Sequence, residues 1–207
     1  MKRIILFSIV TSLFILNCSG DKSETENKNA SPKEETNVSN IEEVVVMETT
    51  LGTIVIDLYE NEAPIHSANF KKLVTEKQIV GTYFHRVIPG FVVQGGDPNT
   101  LDGDRRNDGM GGVPGERITA EIGMKHLRGC LGAARDNNPE KNSSTSQFYF
   151  CLEDLPQLDS GYTVFAKVIK GMDVVDAIAK GKTDPNDNPV ESIYIKSAKL
   201  VPKSELN

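Results

Sequence analysis

The chain predicts a mainly β domain: a closed eight-stranded antiparallel β-barrel with two capping α-helices. Three observations carry that expectation. Short strand-like pieces recur between connections rich in Gly and Asn, and only two stretches show a helical period. Closing such a set of strands on itself removes the exposed edges that would otherwise invite pairing with other chains.

The elements follow in order. Residues 43–60 read as two strands around Thr50-Leu51-Gly52. Val44-Val45-Val46 makes the first, and in the second Ile54, Ile56 and Leu58 alternate with Val55, Asp57 and Tyr59, the glycine serving the turn. Pro64 opens a helix in which Ile65, Ala68, Phe70, Leu73 and Val74 share much of one face. Strand pieces then fall at residues 83–87, 91–94, 131–134, 147–152 and 163–168. A second helix runs from Met172 to Ala179 and stops at Gly181, and residues 192–201 alternate as a closing strand. No internal repeat or second folded domain is visible.

The N-terminal end is of another kind. Lys2 and Arg3 precede an apolar run from Ile4 to Leu16, too short to span a bilayer comfortably, which reads as an export signal. The run ends in Asn17-Cys18-Ser19-Gly20. A cysteine at this place resembles the lipid-modified first residue of bacterial lipoproteins. That resemblance implies a signal peptide at 1–17, a lipid on Cys18, and a location at the bacterial cell envelope, membrane-anchored and either periplasmic or surface-exposed. The competing reading is an ordinary secreted protein with an incidental cysteine. Residues 19–40 are almost wholly polar and cannot bury enough surface to offset their ordering entropy. With the cysteine they give a tether over 18–42, of root-mean-square reach ~25 Å as a coil, leaving 43–203 as the folded domain.

Composition narrows the partners. The formal charge of −6 becomes −8 once Lys2 and Arg3 are removed, with acid spread along the chain, which argues against nucleic acid. Cys130 and Cys151, the two cysteines of the folded part, could form one disulfide in an oxidising envelope, but both sit in apolar strand-like sequence and read rather as small buried core thiols. A monomer is expected.

The chemistry concentrates in residues 83–97, Tyr-Phe-His-Arg-Val-Ile-Pro-Gly-Phe-Val-Val-Gln-Gly-Gly-Asp. Arg86 stands beside aromatic residues, followed by the apolar Phe91-Val92-Val93 and by Gln94. A fixed cation beside an apolar surface with amide donors suits a neutral, proline-sized guest and supplies no obvious nucleophile. Three further segments complement it: residues 129–135, with Ala134 and Arg135; residues 146–150, with Gln147 and Tyr149; and residues 155–165, with Leu158 and Tyr162. Alternation puts Gln147 and Tyr149 on one face and Phe148 and Phe150 on the other, and separates Val92 and Gln94 from Val93.

On these runs the chain, over about residues 44–201, resembles the cyclophilins, the barrel-shaped peptidyl-prolyl cis/trans isomerases. The FHR-V-I-x-G-F-x-x-Q-G-G-D run and the later S-Q-F run occur in the family's order and spacing. The resemblance implies that Arg86 is catalytic and that Phe91, Val92 and Gln94 form the wall beside it. Ala134 and Arg135 would pair with peptide backbone, Gln147 and Tyr149 would floor the proline pocket, Leu158 and Tyr162 would form the far rim, and Gly109 would line a neighbouring groove. No cofactor and no metal is implied. The substrates expected are proline-containing peptides and unfolded exported proteins. Gln157 stands where many eukaryotic members carry tryptophan, which implies weak binding of cyclosporin. Val92 replaces the more usual methionine and Tyr149 the usual phenylalanine, whose added hydroxyl needs water or a partner.

Taken singly, these residues have blander readings: Arg86 as a surface ion-pair partner, Phe91, Val92, Tyr149 and Leu158 as core, Gln94 and Gln147 as ordinary strand residues. Their joint order reverses those readings. Other chemistries fit poorly. The three histidines, His66, His85 and His126, lie in separate segments; the stretch 97–103 begins like a calcium loop but places Leu101 at a ligand position; there is no G-x-S-x-G elbow; and residues 109–112 follow no strand-to-helix pattern. Against an isomerase stands one alternative, a proline-peptide binding, chaperone or surface-adhesion module with incidental turnover. Arg86 favours the enzyme, since binding alone does not require it.

Overall fold

The computed structural model describes residues 42–206; the signal peptide expected at 1–17, Cys18, and all but the last residue of the tether expected at 18–42 lie outside the described residues. The strands are β1 Glu43–Thr49, β2 Thr53–Leu58, β3 Arg86–Ile88, β4 Val92–Gly95, β5 Cys130–Ala133, β6 Phe148–Cys151, β7 Val164–Lys170 and β8 Ile195–Pro202. Helix α1 (Pro64–Thr75) follows β2 and α2 (Met172–Ala179) follows β7. All eight strands form one antiparallel sheet in the order β3-β4-β6-β5-β7-β2-β1-β8.

The expected closure is corrected. The sheet is an open half-barrel whose end strands β3 and β8 do not pair as a ladder. An isolated bridge between Tyr83 and Tyr194 joins that side, with Phe84 N–H donating to Ile193 O at 2.9 Å beside it. The physical reason is a competitor: Val87 N–H of β3 donates instead to Asp187 O at 2.8 Å, so a connecting segment takes the edge that closure would have used.

The first hairpin forms as expected. Thr49 O–H donates to Gly52 O at 2.8 Å, and its Oγ1 accepts from the N–H groups of Leu51 and Gly52. Gly52 has φ +146 and a Cβ there would stand 2.7 Å from the Val174 side chain, so this turn requires glycine.

The face of α1 differs from the expected one. His66, Ser67, Phe70, Leu73 and Val74 are buried, whereas Ile65 is 49% exposed and Ala68 is exposed. A polar interaction turns the helix: the Glu121 carboxylate accepts the N–H groups of Ile65 and His66 at 3.0 and 2.9 Å and the His66 Nδ1–H at 2.6 Å. Phe70 then meets Phe148 edge-on at 5.3 Å and Phe165 at 5.2 Å.

Strand parity divides the interior into two layers. Val93, Leu131, Phe148 and Phe150 join the main core with both helices. Val92, Ala134, Tyr149 and Cys151 belong to a second, smaller cluster, against which Phe91, Leu158 and Tyr162 pack. Cys130 and Cys151 are both buried free thiols within it, and burial pushes the Cys151 thiol up to about 12.

Candidate active site

The site is assembled along one row of strand partners. Register places Arg86 opposite Gln94, Gln94 opposite Tyr149 and Tyr149 opposite Gly132, across β3, β4, β6 and β5. Directly opposed residues share a face, so a cation, an amide and a phenol ring stand side by side on the second layer. The fourth place is glycine for a steric reason: a Cβ on Gly132 would lie 2.2 Å from Tyr149 Cζ and 2.3 Å from its hydroxyl.

A hydrogen-bond chain orders the polar members. Arg86 Nη1 donates to Gln94 Oε1 at 3.4 Å, and Gln94 Nε2 donates to Gln147 Oε1 at 2.9 Å. Gln147 Nε2 in turn donates to the carbonyls of Gly109 and Gly111 at 3.0 and 2.7 Å. The guanidinium also lies 5.8 Å from the centre of the Phe91 ring. Its aim is thus set from two sides, by an amide and by a ring face.

Around this chain lies a pocket of about 110 Å³ lined by Arg86, Phe91, Val92, Gln94, Ala134, Arg135, Tyr149, Leu158 and Tyr162. That is room for a small ring. Arg135 closes one side: its guanidinium lies 4.7 Å over the Tyr162 ring and its Nε donates to Gly161 O at 2.7 Å. A wider groove of about 890 Å³ adjoins it, sharing Gln94, Ala134 and Arg135 and lined also by Gly109 and Gln147. Every substrate-site residue expected from the sequence therefore lines one of two adjacent spaces. Ala134 departs in one respect: its N–H donates to Gln147 O at 3.0 Å and its carbonyl accepts Ser144 N–H at 2.8 Å, so its backbone is already paired. Gln157 is exposed in a short 3-10 turn (Pro156–Leu158) and does not line the pocket.

Three residues were missed by the sequence reading. His126 Nε2 lies 2.9 Å from the Tyr149 hydroxyl, and His126 Nδ1 lies 3.0 Å from Asp159 Oδ1. Asp159 also accepts the His126 backbone N–H at 2.8 Å, and this bond, with that from the ring, holds its carboxyl below the usual range. A carboxylate only accepts, so Nδ1 carries the proton and Nε2 accepts from the phenol. Burial lowers the His126 pKa despite Asp159, in keeping with that neutral ring. Burial likewise raises the Tyr149 phenol, which stays protonated. Gly132 is the third. The one available signal was the Tyr149 hydroxyl, which a pocket floor cannot bury without a partner.

Fold and site together give an open half-barrel with a small pocket, largely apolar, beside the Arg86 guanidinium. The family described as "Cyclophilin type peptidyl-prolyl cis-trans isomerase/CLD" matches residues 44–200. The chain belongs to this family, and it is a peptidyl-prolyl cis-trans isomerase. It is 43% identical over 145 residues to a peptidyl-prolyl cis-trans isomerase of Acinetobacter baylyi, covering 68% of this chain and 73% of that one. To peptidyl-prolyl cis-trans isomerase A of Dickeya dadantii it is 39% identical over 168 residues, covering 77% and 85%. Among solved structures it is similar to a cyclophilin type isomerase of Cryptosporidium parvum crystallised in the presence of the dipeptide Ala-Pro. The TM-score there is 0.68 at 30% identity, covering 75% of this chain and 96% of the other.

Proposed function

We propose that Arg86 is the catalytic residue and that isomerisation proceeds without a covalent step, by stabilising the twisted X-Pro amide. The proline ring enters the pocket between Phe91, Val92, Tyr149, Leu158 and Tyr162, while the flanking peptide lies along Arg135 and the groove beside Gly109 and Gln147. Since Ala134's backbone is engaged within the protein, pairing with the substrate backbone falls to Arg135. Twisting the amide removes its resonance and leaves a more basic, pyramidal nitrogen. A guanidinium aimed at that nitrogen, or at the displaced carbonyl, interacts more strongly in the twisted state than in either planar one, and only such differential binding accelerates the step. Arginine suits the role because it stays charged and presents its donors in a rigid fork.

The observation that carries this reading is the chain from Arg86 through Gln94 and Gln147 to the carbonyls of Gly109 and Gly111, which fixes the cation at the edge of the apolar pocket. In a proline-limited refolding assay, Arg86→Ala is expected to lose about 100-fold in catalysed rate, the scale for removing one transition-state donor, with an unchanged circular dichroism spectrum. A wild-type rate would end the assignment.

The apolar run ending in Cys18 and the polar stretch after it support a lipid-anchored enzyme of the cell envelope that acts on exported client proteins. Anchoring would draw on ~0.8 kcal/mol per buried methylene. The mass of the chain isolated from its native membrane tests this: an acyl-glyceryl adduct on Cys18 is expected, and an unmodified cysteine refutes the anchor.

A further inference from the structure

We propose that His126, held by Asp159, is a positioning residue for the isomerase: it ties down the Tyr149 hydroxyl so that the ring face is kept as the pocket floor. The inference rests on the reading of the Arg86 pocket as the proline site. The support is geometric. Tyr149 lines the pocket, yet only 4% of it is exposed, and its hydroxyl points away from solvent into a space that exists because Gly132 has no side chain.

His126 meets it there from a connecting segment, not from the sheet. Its side chain is fully buried and its ring lies 11° from parallel to the phenol ring, with centroids 6.1 Å apart. Asp159 grips His126 twice, through the ring and through the backbone N–H, and Leu155 N–H donates to His126 O at 2.7 Å. Two of the rim's supports thus meet in one histidine. The same short segment that carries Leu158 holds the imidazole, and the imidazole holds the floor. A phenylalanine at 149 would have no such tie, and an unanchored tyrosine would carry a buried hydroxyl without an acceptor. Floor and rim are therefore fixed relative to each other through Tyr149, His126 and Asp159, on the side of the pocket away from Arg86.

The test is a double-mutant cycle on the full chain, reading kcat and KM for a proline tetrapeptide. Tyr149→Phe and His126→Leu cut the same bond, and each is expected to raise KM by about two- to tenfold, the worth of one hydrogen bond, with a smaller change in kcat. In the Tyr149→Phe background, His126→Leu is expected to change KM by less than about twofold. His126→Gln, whose amide oxygen accepts from the phenol, is expected to recover KM. Equal effects of His126→Leu in both backgrounds would show a merely structural histidine and overturn the proposal. If His126→Leu fails to fold, an unchanged KM in Tyr149→Phe overturns it alone. Arg86→Ala measured alongside separates the two readings. An active Arg86→Ala removes the pocket assignment itself, whereas an inactive Arg86→Ala with an additive cycle removes only the role of His126.

Discussion

At the scale of single residues, the pocket depends on what its neighbours lack. Gly132 is a strand glycine whose place in the row is set by Tyr149, and Gly132→Ala would drive a methyl to within 2.2 Å of the phenol carbon. Overpacking of this sort costs about 1–3 kcal/mol. A lowered urea midpoint together with reduced isomerase activity is expected, and a variant as stable and as active as the wild type would contradict the contact. Gln157 is the second case. It is exposed and stands where many eukaryotic cyclophilins carry tryptophan. Weak cyclosporin binding is expected, and Gln157→Trp should tighten it by about tenfold or more, the scale of a buried aromatic anchor. The chain has no tryptophan, so the new indole supplies its own fluorescence signal for the titration. Unchanged affinity in the variant would show that the rim position does not govern inhibitor binding.

Elements show why part of the molecule was legible and part was not. Strand alternation depends on a local rule, so the separation of Tyr149 and Val92 from Phe148, Phe150 and Val93 could be read directly and recurs as the two core clusters. The face of α1 could not, because its orientation is decided by Glu121, 55 residues away from His66. Hydrophobicity favoured Ile65; the paired carboxylate and imidazole prevailed. That arrangement continues to Ser143 Oγ, 2.9 Å from His66 Nε2, giving a serine, histidine and glutamate in hydrogen-bonded order. It is not a nucleophile's setting: Ser143 is 1% exposed, and Glu121 is occupied with the first N–H groups of α1. Burial opposes ionisation of Glu121, but the bonds from Ile65 and His66 hold its carboxyl below the ordinary range. Glu121→Ala therefore removes the acceptor of the first N–H groups of α1 and leaves the buried Nδ1–H of His66 without a partner. A loss of about 1–3 kcal/mol is expected from urea unfolding, and a loss near zero would show that the helix N-terminus is satisfied by other means.

For the whole molecule, closure and acid sensitivity are both collective. An open sheet was not legible, because the segment that takes Val87's N–H is a hundred residues from it in sequence and has no strand pattern of its own. The histidines looked unrelated for the same reason, being scattered in the chain, yet all three are buried in the fold. Burial lowers the pKa of His66, His85 and His126 from the ordinary 6.5, outweighing the facing carboxylates Glu121, Asp97, Asp108 and Asp159, which favour the charged form. The unfolded chain then binds protons that the folded chain refuses, so stability rises with pH across this range. The contribution is fully present above the unfolded value of 6.5 and is lost as the pH falls through the lower folded values. Glu121 and Asp159, both held low, remove a further increment in more acid solution. Thermal unfolding followed at pH 8, 6.5, 5.5 and 4.5 should give a flat midpoint down to about pH 6.5 and a progressive decline below it. A midpoint that holds steady to pH 4.5 would mean that these imidazoles take up protons as readily in the fold as in the unfolded chain, and would remove the basis for the neutral His126 that accepts from Tyr149.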